Sequence, residues 1–293
     1  MKDEHLHQLI SIDELTFKRD EPRSLENLRA LKISDPEGCM VMMKGDEIIG
    51  YTYSKTLGNE GYLGPLGIVP IYRNMGLGKV LIQKNLDYLR KNCKIIGLEV
   101  LPENGDVIGF YQKMGFISGF PSYIFHIPKE LKMGPPIRDV SLKNTSDMAE
   151  IEFYKVLDGI RKWDLNQINF TQNLSVTREL GGNILMAFSG GEPAGFLAYS
   201  KTLCPTVWGA VNSNNLDPDL QRDIFKILLN NFSPIKNSKD AVLQVNSQYD
   251  VLVDLLIEMG FKLYRSINRM YLKGYEGNNI KKRNELIMMP WRG

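Results

Sequence analysis

Three stretches of this chain occur twice, in the same order. GYTYSKTL (50–57) returns as GFLAYSKTL (195–203), and YQKMGF (111–116) returns as LIEMGF (256–261). Between them VPIYRNMGLGKVLI aligns with DPDLQRDIFKILLN through Pro70 and Pro218, and the offset stays between 145 and 148 residues throughout. A repeat of that period in 293 residues predicts two copies of one domain, each about 140 residues long, an ordinary size. The linker is placed near KMGPPIRD (132–139), where Gly134, Pro135 and Pro136 cannot continue a helix. The reading is a first domain over 1–133, a second over 134–275 and a tail over 276–293.

Several classes are disfavoured at this stage. Lysine and arginine number 36 against 34 aspartate and glutamate, which gives no field that implies a nucleic-acid or membrane surface. Cys39, Cys93 and Cys204 are odd in number and widely spaced, so neither a disulfide framework nor a zinc site is expected. His5, His7 and His126 are the only histidines, and no metal is expected. The polar start and the absence of a long apolar run point to a cytoplasmic protein with reduced thiols.

Within the first copy, LHQLISIDELTF and SLENLRALKI have helical spacing, and CMVMMKGDEIIGYTYS reads as two strands around Lys44, Gly45 and Asp46. YLGPLGIV reads as a strand. A helix from Met75 to Asn92 is expected to bury Val80, Leu81, Leu86 and Leu89, and IIGLEVL reads as a strand covered on both faces. The predicted class is mixed α/β, a central sheet with flanking helices.

Gly76 and Gly78 stand at the mouth of that helix, where each glycine costs roughly 1 kcal/mol against alanine. Exposed N–H groups at a helix start, together with the helix dipole, make an anion site that a Cβ would crowd. Arg73 and Lys79 add charge. A triphosphate loop is excluded because no Gly-Lys-Ser/Thr follows, and a dinucleotide site because the third glycine and the later acidic residue are missing.

V-P-x-Y-R-x-x-G-x-G from Val69, followed by L-E-V-x3-N-x6-Y-x3-G-F from Leu98, resembles the two central motifs of the GNAT acetyltransferase superfamily. The resemblance covers about 39–128 and implies two tandem GNAT-like domains that use acetyl-CoA. By it, Gly67, Ile68 and Val69 lie on the strand that holds the pantetheine arm. Arg73, Asn74, Met75, Gly76, Leu77, Gly78 and Lys79 form the pyrophosphate loop, and Asn104 touches the cofactor. The family opens with a strand that this chain lacks before its first helix; the apolar tail ELIMMPW (285–291) is a candidate to complete that sheet edge.

Transfer to an amine needs the neutral nucleophile, which for a lysine-like pKa of about 10.4 costs roughly 4 to 5 kcal/mol at pH 7. The resemblance implies Glu99, on the IIGLEVL strand, as the base, and Tyr111 as the acid facing the departing sulfur of the cofactor. In the second copy Gln244 replaces Glu99, Leu256 replaces Tyr111, and Ile224 and Lys226 replace the two glycines. That copy is expected to have kept the fold and lost the chemistry. The leading reading is an N-acetyltransferase acting on a small primary amine by direct attack in a ternary complex. Alternatives are a non-catalytic acyl-CoA-binding module, against which Glu99 and Tyr111 speak, and a tandem transferase using aminoacyl-tRNA. The latter should show a basic stripe, and only Lys281, Lys282 and Arg283 cluster here.

Overall fold

The computed structural model describes residues 1–17, 23–128, 131, 139–163, 165, 168–214, 216–237, 242–277 and 281–289. Of the expected linker only Asp139 falls among them. The first copy runs α1 (Leu6–Phe17), α2 (Leu25–Ser34), β1 (Met40–Lys44), β2 (Glu47–Leu57), β3 (Glu60–Ile68), α3 (Leu77–Asn92), β4 (Ile95–Val100), α4 (Gly105–Lys113), β5 (Phe116–Ser118) and β6 (Ser122–His126). The second runs β7 (Val140–Asn144), α5 (Glu150–Ile160), α6 (Thr171–Glu179), β8 (Asn183–Ser189), β9 (Glu192–Ser200), β10 (Cys204–Val211), α7 (Pro218–Asn231), α8 (Ser233–Asn237), β11 (Val242–Asn246), α9 (Asp250–Glu258) and β12 (Lys262–Leu272). A short strand, β13 (Ile287–Met288), follows.

Local chemistry accounts for many boundaries. Ser24 caps α2 by accepting from the Asn27 amide, and Asn27 returns the bond to the Ser24 backbone. Gly45 takes a φ of +60° in the tight β1–β2 turn. α3 starts at Leu77, two residues later than the sequence pattern suggests, because Gly76 is its left-handed N-cap. Its buried face is Leu81, Ile82, Asn85, Leu86 and Leu89. Val80 is not on it: it is 50% exposed and lines an open depression of about 540 Å3 with Met40 and Val41 beside the β1 edge. Nothing lies outside β1 in the sheet among the described residues.

All the described strands join one mixed sheet, eleven of them in the order β1-β2-β3-β4-β12-β6-β11-β10-β9-β8-β7, with β5 paired to β12 and β13 to β10 beside that path. The first copy supplies one end and the second copy the other. At the centre the final strands are exchanged: β12 lies antiparallel to β4, with Arg269 opposite Glu99, and β6 lies antiparallel to β11, with Ile124 opposite Gln244. These registers are equivalent under the sequence repeat. β6 and β12 meet with Ser122 opposite Ile267, themselves a repeat pair, so the approximate twofold axis passes there. Each copy closes the other's sheet. Side contacts add to the seam: Ala30 of α2 clusters with Val176 and Leu203, and Gln172 Nε2 donates to the Ser34 carbonyl at 2.8 Å.

The tail does not complete the β1 edge. Ile287 and Met288 pair instead with Ala210 and Gly209 of β10 in the second copy. Four apolar residues, Leu286 to Met289, are buried there, and that burial outweighs an edge position half open to water.

Candidate active site

β3 and β4 are parallel and pair only from Glu60 to Tyr62, opposite Ile95 to Gly97, after which they separate. A cleft opens between Leu63–Ile68 on one side and Leu98–Val100 on the other. Val69 N–H is bonded to Ile49 O at 3.0 Å on the β2 side. Strand alternation therefore turns the Ile68 N–H to the opposite edge, into the cleft. The Ile68 carbonyl on that edge accepts from Arg73 Nε at 3.0 Å, which sets the Arg73 guanidinium at the cleft mouth.

At the same mouth, Gly76 caps α3 with φ +77° and no side-chain hydrogen bond to the helix amides. Asn74 is also left-handed, with φ +63°. Arg73, Asn74, Met75, Gly76 and Lys79 are exposed, and Leu77 and Gly78 half-buried. A Cβ built on Gly78 would come within 3.4 Å of Leu66 and 3.9 Å of Ile68, ordinary van der Waals contact, so the helix start lies beside the cleft wall. The residues fit a diphosphate followed by an extended amide-bearing arm: uncapped N–H groups, a nearby cation, and an unpaired strand edge.

Asn104 is the N-cap of α4, exposed, with φ −91° and ψ 62°. Tyr111, one to two turns on, is 7% exposed and packs edge-on against Phe110 and Phe116, with centroids 5.2 and 5.6 Å away. Burial pushes its phenol well above the ordinary value, so the side chain stays protonated and able to donate.

Glu99 lies on the other face of β4. Leu98 and Val100 share a packed cluster with Tyr111, whereas the Glu99 carboxylate accepts from Ser122 Oγ at 2.5 Å and from Gln244 Nε2 at 2.6 Å. Arg269 stands opposite in register, buried above Gly97 with its guanidinium over the rings of Tyr271 and Tyr62. Burial works against that charge, but Tyr271, Glu99 and Glu60 outweigh it and push the Arg269 pKa up. No hydrogen bond joins Glu99 to Tyr111 among the described residues. The structure thus gathers the glycine loop, Ile68 and Arg73 at one mouth, and sets Glu99 in a separate polar nest.

The sequence reading missed this nest. Gln244 registers there only as the residue that replaces Glu99 in the second copy, yet the two repeat-equivalent side chains bond each other across the exchanged strands. Equal spacing marks them as equivalent and carries no sign that they meet.

A sequence profile described as Acetyltransferase (GNAT) family matches residues 6–116. The match takes in α1 to the start of β5, the greater part of the first copy. A Pyrococcus horikoshii protein assigned as an acetyltransferase superposes with a TM-score of 0.68 at 14% identity, over 100% of this chain and 94% of its own. A tandem GNAT protein from the clavulanic acid biosynthesis pathway gives 0.60 at 15% identity, over 92% and 95%. At these identities the likeness is one of fold, and it spans both copies. N-alpha-acetyltransferase 30 of Saccharomyces cerevisiae is 38% identical over 59 residues, 20% of this chain and 34% of that protein; the match thus spans about a third of this curated relative's length. Among the described residues no helix is long and apolar enough to cross a membrane, and no group of three or more histidine, cysteine, aspartate or glutamate side chains could hold a metal.

Proposed function

We propose that the chain is an acetyl-CoA-dependent N-acetyltransferase whose first copy does the chemistry on a small primary amine. The observation that carries this reading is the uncapped start of α3 beside the open β3 edge, with Arg73 bonded to the Ile68 carbonyl between them. Bound there, acetyl-CoA supplies the thioester and its leaving thiolate. The amides of Gly76, Leu77 and Gly78 and the Arg73 guanidinium hold the diphosphate, Ile68 pairs with the pantetheine amides, and Asn104 lies along the same path. Tyr111 gives its phenolic proton to the departing thiolate.

Glu99 takes the proton from the incoming ammonium, through water where the amine does not reach it. Its two oxygens each accept one donor, which fixes the carboxylate orientation while leaving further lone pairs for the amine. The attack is direct, and two of the three thiols are withdrawn from the mouth: Cys39 and Cys93 are both buried in packed clusters. The yeast relative, named for N-alpha acetylation, supports nitrogen as the acceptor atom.

In the second copy α7 starts at Pro218 and winds through the segment that is a loop in the first, and Asp217 caps it by accepting from the Leu220 amide. A carboxylate thus takes the place of an anionic ligand, and one cofactor per chain is the expected stoichiometry. Titration calorimetry with coenzyme A, followed by thioester consumption against pooled amines, tests the proposal. One site and amine-dependent turnover that falls in Gly78→Val are expected; no binding, or binding without turnover on any amine, overturns it.

A further inference from the structure

β10 of the second copy also parts from its parallel neighbour early, pairing with β11 only at Thr206 and Val207. The repeat fixes what lies beyond. Gly50 faces Ile68 in the first copy and Gly195 faces Val211 in the second, so Leu66, Gly67 and Ile68 correspond to Gly209, Ala210 and Val211. In the first copy these residues border an open cleft. In the second they carry β13: Gly209 faces Met288, Ala210 faces Ile287, and Val211 N–H donates to Leu286 O at 3.1 Å.

The rest of the tail follows the same course. Tyr249 caps α9 with φ −88° and ψ 63°, the backbone that Asn104 adopts at α4. Over its ring, 5.1 Å from the centroid, stands Arg283, whose amide donates to Gln248 O at 2.7 Å. Lys282 pairs with Asp250 in the first turn of α9 at 3.0 Å. The tail therefore crosses the second copy from the α9 N-cap to the inner edge of β10, touching the counterparts of Asn104 and Ile68 in turn.

We infer that the cleft of the second copy is a peptide-binding groove whose ligand is the chain's own segment from Arg283 to Met289, held by strand addition in the position that a pantetheine arm takes in the first copy. The likeness to a pantetheine arm rests on the reading of the first cleft as the cofactor site; the seating of the tail does not. The recognised chemistry is an extended apolar run, Leu286-Ile287-Met288-Met289, with a basic residue at its foot. Main-chain bonds to β10 supply the pairing and the buried side chains supply the selectivity. Leu286, Ile287 and Met288 are at most 1% exposed, so the segment is seated as deeply as core.

Residue-resolved hydrogen exchange on the full chain, with and without coenzyme A, separates the two clefts. The Val211 amide is expected to be protected without ligand and unchanged by it. The Ile68 amide is expected to exchange readily alone and to slow at least tenfold with coenzyme A. In full-length Ile287→Asp, Val211 should exchange at least tenfold faster while Ile68 keeps its response. A Val211 amide that exchanges freely in the native chain, or gains protection from coenzyme A, overturns the assignment. If Val211 is protected and Ile68 ignores coenzyme A, the proposed function fails and the groove assignment stands. Should Ile287→Asp not fold, the unmodified chain still decides the matter.

Discussion

Glu99 holds two positions at once. It is the proposed base, and it is also the acceptor on which Ser122 and Gln244 converge. Glu99→Gln removes the basic oxygen while keeping the shape, and turnover with a saturating amine should fall by about 10²-fold or more, the usual weight of a positioned general base. Affinity for coenzyme A, measured by calorimetry, should stay the same, because the diphosphate is held elsewhere. Tyr111→Phe should lower turnover by about 10²-fold with little change in the melting temperature, since the ring keeps its edge-on contacts with Phe110 and Phe116. Cys39 and Cys93 are inert for a different reason. Burial, aided by the field of Asp35, pushes Cys39 and Cys93 up to about 12, so at pH 8 the reactive thiolate is scarce. Iodoacetamide should label neither in the native chain and both in urea, as read by mass spectrometry.

At the scale of elements, the two helices that follow the split strands differ in how they begin. α3 starts at an uncapped glycine and α7 at a conventional aspartate cap. Asp217→Ala should cost about 1 kcal/mol in chemical denaturation, the worth of an N-cap, and leave coenzyme A binding untouched. Much of this level was legible in the sequence. LHQLISIDELTF is α1, IIGLEVL is β4 to within a residue, and the glycine pair marked the helix mouth because positive φ and close approach leave a compositional trace. Val80 was misplaced since a single valine at the margin of a helical face satisfies the period whether or not anything covers it. The tail was sent to the wrong sheet edge for a related reason: ELIMM has the pattern of a buried strand, and that pattern does not say which open edge receives it.

For the molecule as a whole, the exchange of β6 and β12 was not legible. NRMYL alternates equally well beside β4 or beside β11, and pairing partners so far apart in the chain leave no local signature. Its consequence is measurable. A fragment ending at residue 133 keeps every proposed catalytic residue but loses β12, and with it the strand that pairs β4 and β5. Such a fragment should lack a cooperative thermal transition by circular dichroism, while the full chain should show a single one. Two separate transitions in the full chain would mean that the exchanged strands contribute little to either half.

The trade of final strands also bears on history. A duplicated gene whose copies stay self-contained can later discard one of them, but here a cut at the repeat junction would leave each half without its closing strand. The second half is thus retained as scaffold whatever its chemistry, and the duplication behaves as a ratchet: easy to enter, hard to reverse. Mutations that drift through the second half near Gln244 remain visible to selection on the first, because they land against the carboxylate of Glu99, the proposed base.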